Sequence, residues 1–285
     1  MKSVCIKTNN QNVIDYLLKS LNNIKLDCIY YSYLKFRLYQ NIIIHYTGLD
    51  SDSFICEISK ILSRLVIDEF EEDFLKKIII HEYFYFDSFE RNKILNNIFY
   101  LSDSNDFTFK ENLLYNSFYT ALSSNSKLFL DGFIPFRIQE YLNYLLKKVD
   151  DSVNRFLVDR EYEEFISILK MYISSEPSTT DLVHLIYYNS KSILLDRNKK
   201  LIEVDSNIFN AKYLSDITFS SNDYALNTLL SMVPQKIFVH LIDNNIDEFI
   251  QTLKLIFENR IVLCDDCDIC RIYKKKYGSN LFSNS

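Results

Sequence analysis

Residues 236–264 read KIFVHLIDNNIDEFIQTLKLIFENRIVLC, and this stretch decides the fold of the C-terminal part of the chain. Its two ends, 236–241 and 260–264, are short apolar runs typical of buried strands. Asn245 and Glu248 match the cap pair that starts a helix. Between the two runs, apolar residues recur at helical spacing: Phe249, Ile250, Leu253, Ile256 and Phe257. The stretch therefore predicts a strand–helix–strand unit with parallel strands and a right-handed crossover.

Three of the six cysteines follow where the second of these strands ends. Cys264, Cys267 and Cys270 have C-x2-C-x2-C spacing, which lets thiolates of one segment converge on a single ion. A tetrahedral site needs a fourth ligand. His240 lies at the carboxyl end of the first strand, so it is at the same sheet edge as Cys264 if the two strands are neighbours, about 4.8 Å apart. The sequence thus predicts a Cys3His site suited to Zn²⁺.

The cysteine cluster is also compatible with roles that do not involve zinc. Its spacing matches part of a bacterial iron–sulfur run, whose fourth cysteine is absent here. A redox-sensitive thiol cluster is a second alternative, and the absence of any dedicated role is a third. If zinc fills a closed four-ligand site, its role is structural, because a catalytic zinc keeps one coordination position open.

A candidate enzyme site precedes the strand–helix–strand unit, in LLDRNKKLIEVD at 194–205. Asp196, Glu203 and Asp205 lie on two adjoining predicted strands. Metal-dependent nucleases and phosphodiesterases place carboxylates in this way to hold Mg²⁺ and activate water. The lysine of such a motif is missing, so charged strand ends around a polar hairpin are the favoured interpretation. His184, in an apolar strand, is interpreted as a core histidine.

The pattern along the chain divides into three parts and predicts a mixed α+β fold. Residues 1–105 predict a small α/β unit, and 106–177 are strongly helical, with two consecutive helices or one long kinked helix ending before Pro177. Residues 178–285 predict a mixed sheet that contains the crossover unit and the cysteine cluster. Its other strand-like runs are 181–188, 192–196 and 200–204.

Composition excludes several classes of function. The 285 residues contain only three glycines, each isolated, so no glycine-rich loop that cradles phosphates can be drawn. The formal net charge of −6 argues against a broad nucleic-acid footprint. The basic run Lys274–Lys276 is interpreted as part of a solvated tail.

No membrane span or export signal is expected from the sequence. No run reaches the roughly 18 apolar residues that a transmembrane helix needs. The first residues, MKSVCIKTNNQN, turn polar by residue 7, too early for the apolar region of a signal peptide. A cytoplasmic protein with reduced thiols is therefore expected.

Several segments together resemble the YtxC family of sporulation proteins from endospore-forming bacteria. They are FRIQEYLNYLLKKVDDSVNRFLVDREYEEFISILK at 136–170, the hairpin at 194–205, TLLSMVPQKIFVH at 228–240 and IVLCDDCDIC at 261–270. The likeness is one of extended sequence and carries no catalytic signature. It implies a cytoplasmic protein linked to sporulation, without catalytic residues to transfer. We therefore expect a non-enzymatic or regulatory protein with protein partners; the alternatives are the nuclease and an adaptor.

Overall fold

The computed structural model describes residues 2–24, 26–101, 104–202, 220–264 and 266–278. Within these ranges the chain forms nine helices and two mixed sheets of four strands each, which confirms the mixed α+β class. The chain divides into two compact units, 1–158 and 159–285, each with its own apolar core. The expected division into three domains stays a prediction.

The N-terminal unit is a four-stranded sheet packed with helices. Its strand order is β2-β3-β1-β4, in which β1 runs antiparallel to β3 and parallel to β4. The sixth helix, α6, continues from this unit into the next. The elements are β1 (Lys2–Thr8), α1 (Gln11–Asn22), β2 (Ile29–Lys35), β3 (Gln40–Tyr46), α2 (Ser51–Glu82), α3 (Ser88–Leu101), α4 (Ser104–Ser124), β4 (Lys127–Phe129), α5 (Leu130–Arg137) and α6 (Gln139–Ser175).

Apolar faces at helical spacing build the core of this unit. In α1, Val13, Ile14, Leu17 and Leu21 are buried, and they form the face expected from their spacing. The helix α2 begins at Asp50, whose side chain accepts hydrogen bonds from the backbone N–H groups of Asp52 and Ser53. The strongly helical middle contains one uninterrupted helix of 37 residues, α6, directly after the short α5.

A buried ion pair lies inside the N-terminal unit, between α2, α4 and α6. Lys110 Nζ is 2.6 Å from Glu71 Oε1, and both side chains are 9% exposed. The hydroxyl of Tyr141 donates to the other carboxylate oxygen of Glu71 at 2.5 Å. Both oxygens of this carboxylate are thus paired, as a charge withdrawn from water requires.

The C-terminal unit contains the predicted strand–helix–strand arrangement. The strand order is β6-β5-β7-β8; β7 runs parallel to both β5 and β8, while β5 and β6 form an antiparallel hairpin. The parallel pair is thereby confirmed. The elements are β5 (Leu182–Tyr188), β6 (Lys191–Leu195), α7 (Ser221–Met232), β7 (Lys236–Leu241), α8 (Glu248–Phe257), β8 (Ile261–Cys264) and α9 (Asp268–Gly278).

The crossover helix α8 covers one face of this sheet. Its buried residues Ile250, Leu253, Ile256 and Phe257 belong to the same apolar cluster as the strand residues Val183, Leu185, Ile237 and Val239. The cap residue differs from the expected Asn245. Asp247 caps the helix instead, accepting a hydrogen bond from the backbone N–H of Ile250. Asp247 lies close enough to the first turn to accept this N–H, whereas Asn245 belongs to the preceding loop.

The helix α9 covers the other face with its first turn, while Lys275 and Lys276 of the basic run are exposed. Successive side chains of a strand project to opposite sides of the sheet. Val183 and Leu185 of β5 face α8, so Ile186 faces α9. Ile269 of α9 joins Ile186, Leu195 and Ile242 in a small buried cluster there. None of the described helices is apolar enough over a sufficient length to cross a membrane.

Candidate metal centre

Two strand ends and one helix start bring the four predicted ligands together. In the parallel pair of β7 and β8, His240 lies directly opposite Cys264. Cys267 precedes α9, and its carbonyl accepts the backbone N–H of Arg271 in the first helical turn. Cys270 lies within that turn. The expected adjacency of the two strands is therefore confirmed, and the start of α9 brings Cys267 and Cys270 to the sheet edge.

The four donor atoms converge within 4.8 Å of one another. Nδ1 of His240 lies 3.3 Å from Sγ of Cys270 and 3.4 Å from Sγ of Cys267. The sulfur of Cys270 is 3.8 Å from the sulfurs of both Cys267 and Cys264. Zinc bonds of about 2.3 Å to sulfur and about 2.0 Å to nitrogen give tetrahedron edges of about 3.8 Å between sulfurs and about 3.5 Å between sulfur and nitrogen. These four separations match the edges, and the other two are no longer than 4.8 Å.

Asp266 and Asp268, the acidic residues between the cysteines that the structure describes, do not belong to this group. Asp266 and Asp268 are exposed, and each forms an ion pair with Arg271, at 3.3 Å and 3.7 Å. His240 and Cys270, in contrast, are each only 1% exposed, and Cys264 and Cys267 are half-buried. The donor set is thus soft sulfur and imidazole nitrogen, which suits zinc far better than a hard, oxygen-preferring cation.

Burial keeps His240 in the protonation state that binds metals. It lowers the imidazole pKa to about 4, with a further contribution from the neighbouring His184. At neutral pH the ring is therefore uncharged, and one of its nitrogens carries a free lone pair. A neutral imidazole is the form of histidine that ligates a metal ion.

The thiols differ in how readily they ionise. Burial raises the pKa of Cys264 to about 12 and also raises the pKa of Cys270. Burial acts in the same direction on Cys267, but hydrogen bonds from the backbone N–H groups of Cys270 and Ile269, and from the other thiols, lower its pKa overall. The start of α9 thus favours the thiolate of Cys267. A bound cation would favour the thiolates of Cys264 and Cys270 by compensating their charge.

His184 is a member of the site that was interpreted from the sequence as a core histidine. Its Nδ1 lies 3.0 Å from Nε2 of His240, on the side of that ring facing away from the sulfurs. The register pairs Ile186 with His240, so His184 projects from the same face of the sheet two residues earlier. This contact depends on the parallel pairing of β5 with β7. The apolar pattern of the sequence predicted only the pairing of β7 with β8, so it did not indicate the contact.

The residues of the alternative nuclease site are described only in part. Asp196 closes the turn after β6: its Oδ1 accepts the backbone N–H of Lys200 at 2.8 Å. Glu203 and Asp205 lie outside the described residues. Among the described residues, the group of His240 with the three cysteines is the one whose donor atoms converge as metal ligands would.

Together, fold and site define a two-unit α+β protein that carries a Cys3His constellation at the carboxyl edge of its second sheet. A sequence profile of the YtxC-like family matches residues 56–262, and the chain belongs to this family. The matched range contains His184 and His240 and ends within β8. No curated protein and no solved structure matches the chain.

Proposed function

We propose that the protein binds one Zn²⁺ ion through His240, Cys264, Cys267 and Cys270, and that the ion fastens α9 to the sheet. The observation that carries this proposal is the match between the donor separations and the edges of a zinc tetrahedron. Two ligands come from strand ends and two from a helix start. An ion between them would cross-link the paired strands β7 and β8 to α9, which otherwise packs on the sheet through a small apolar cluster.

The ligand set favours a single zinc ion over an iron–sulfur cluster. A cluster brings its own sulfides and several irons, so its protein ligands stand further apart than those of one ion. Here all four donor atoms lie within 4.8 Å of one another. With four protein ligands, a tetrahedral zinc has no open position for water or substrate, and this supports a structural role.

In cells, we place the protein among the non-enzymatic or regulatory components of sporulation, in the cytoplasm. Membership of the YtxC-like family supports this setting. A thiolate zinc site also requires reduced cysteines, which the cytoplasm maintains. The nuclease and adaptor alternatives stay predictions, and so does the expectation of protein partners; cleavage of a nucleic-acid panel with Mg²⁺ or Mn²⁺ would support the nuclease.

Metal analysis tests the zinc site directly. Protein purified without oxygen and without chelator is expected to contain about one zinc per chain, since four ligands complete one site. Replacing Zn²⁺ by Co²⁺ should give the visible absorption of a tetrahedral cobalt ion bound by thiolates. Protein that neither carries zinc nor binds it on titration would contradict the proposal, and acid-labile sulfide with a brown colour would indicate a cluster instead.

A further inference from the structure

We infer that His184 is a positioning residue of the metal site, which accepts a hydrogen bond from Nε2–H of His240 and thereby keeps Nδ1 of His240 free to bind the ion. This role presupposes the zinc site proposed above. His184 itself contributes no ligand atom to the converging group. Histidine ligands in metal sites commonly donate their second ring N–H to such a partner.

The two ring nitrogens of His240 face different neighbours. Nδ1 points toward the sulfurs of Cys270 and Cys267, at 3.3 Å and 3.4 Å, while Nε2 lies 3.0 Å from Nδ1 of His184. A neutral imidazole carries one proton. When a metal ion occupies Nδ1 of His240, the proton must reside on Nε2 and be donated to His184. Nδ1 of His184 is then the acceptor, and its own proton resides on Nε2.

Neighbouring strands hold the acceptor in place. β5 is hydrogen-bonded to β7, and the two imidazole rings lie 5.2 Å apart with an interplanar angle of 34°. The ring centroid of Phe238, the register partner of His184 on β7, lies 5.8 Å from that of His184. His184 is the acceptor that reaches Nε2 of His240 among the described residues. Because His240 is almost fully buried, loss of that acceptor leaves an N–H without a partner and without water.

A matched pair of substitutions separates hydrogen bonding from packing. Asparagine places its side-chain oxygen close to the position of Nδ1 of histidine, whereas leucine has the same shape and no acceptor. We expect His184→Leu to bind Zn²⁺ about 10–100-fold more weakly than the unaltered protein, the usual effect of removing such a partner. His184→Asn is expected to restore most of that affinity. The measurement is competition for Zn²⁺ with a chromogenic chelator.

If His184 acted only through packing, the His184→Leu protein would bind Zn²⁺ more tightly than the His184→Asn protein does. Leucine suits a half-buried strand better than asparagine does, so the metal-free His184→Leu protein should be the more stable variant on thermal unfolding. NMR of ¹⁵N-histidine-labelled, zinc-loaded protein provides a second measurement. It should show the metal on Nδ1 of His240 and the proton on Nε2.

The outcomes distinguish the inference from the proposed zinc site. If the unaltered protein binds no zinc, both are wrong. If it binds zinc and His184→Leu binds equally tightly, or His184→Asn binds as weakly as His184→Leu, the zinc site stands and the role of His184 is refuted. A metal bound through Nε2 of His240 would also refute it.

Discussion

Cys270→Ser is expected to abolish the zinc-dependent stabilisation of the C-terminal unit. Cys270 is 1% exposed and its sulfur lies within 3.8 Å of each of the other three donor atoms, as one vertex of a tetrahedron does. A serine hydroxyl keeps the size of the thiol and is a poor zinc ligand. An ion present at about 1,000 times its Kd stabilises the folded state by about 4 kcal/mol. Its loss should lower the Tm on the order of 10 °C.

Two comparisons isolate the contribution of the ion. Metal-free unaltered protein and metal-free Cys270→Ser should melt at nearly the same temperature, because the substitution removes little besides the ligand. Cys28→Ser is the matched control, since Cys28 is an exposed thiol of the N-terminal unit. It should retain the zinc response in full. A zinc-dependent rise in Tm that survives in Cys270→Ser would contradict the assignment of this ligand.

Lys110→Met is expected to destabilise the N-terminal unit by about 3–5 kcal/mol, the usual cost of breaking a buried ion pair from one side. Methionine fills much of the space of the lysine stem, but the carboxylate of Glu71 loses the ammonium group 2.6 Å away. Its bond from Tyr141 remains, and this bond alone does not compensate a buried charge. Urea denaturation of the variant gives the change in the free energy of unfolding.

The chain offers an exposed pair as the control. Lys60 lies 2.8 Å from Glu57, and the two side chains are 50% and 38% exposed. Lys60→Met should cost less than about 1 kcal/mol, as exposed pairs do. Adding Glu71→Gln to Lys110→Met removes the orphaned charge and is expected to recover much of the loss. Equal effects of Lys110→Met and Lys60→Met would contradict a buried pair.

The part of the fold that could be predicted from sequence is the part with strong local periodicity. The apolar runs of β7 and β8 and the helical spacing within α8 defined a parallel pair, and that pair placed His240 opposite Cys264. His240 and Cys264 were therefore predictable, because strand ends at one edge of a sheet converge whatever the remaining strands do. Cys267 and Cys270 were predictable from their spacing after Cys264.

The parts that could not be predicted depend on tertiary contacts. The helix α9 has the charged sequence DICRIYKKKYG, and Ile269 is its buried apolar anchor against the sheet. Its packing on Ile186 and Ile242 comes from elements distant in sequence. His184 likewise gained its role only from the β5–β7 pairing. A lone histidine in an apolar run carries no signal of its own about the residue on the neighbouring strand.

Because β8 is short, we expect the proposed ion to affect the solubility of the protein. β8 is four residues long and is the last described strand on its side of the sheet. Its neighbour in the sheet is β7, whose Ile237 and Val239 are fully buried. If β8 frays, the backbone of β7 becomes an unprotected template for strands of other molecules, which is a common route to aggregation. An ion that joins His240 to Cys264 holds the end of β8 against β7, so zinc-depleted protein should precipitate where zinc-loaded protein stays in solution.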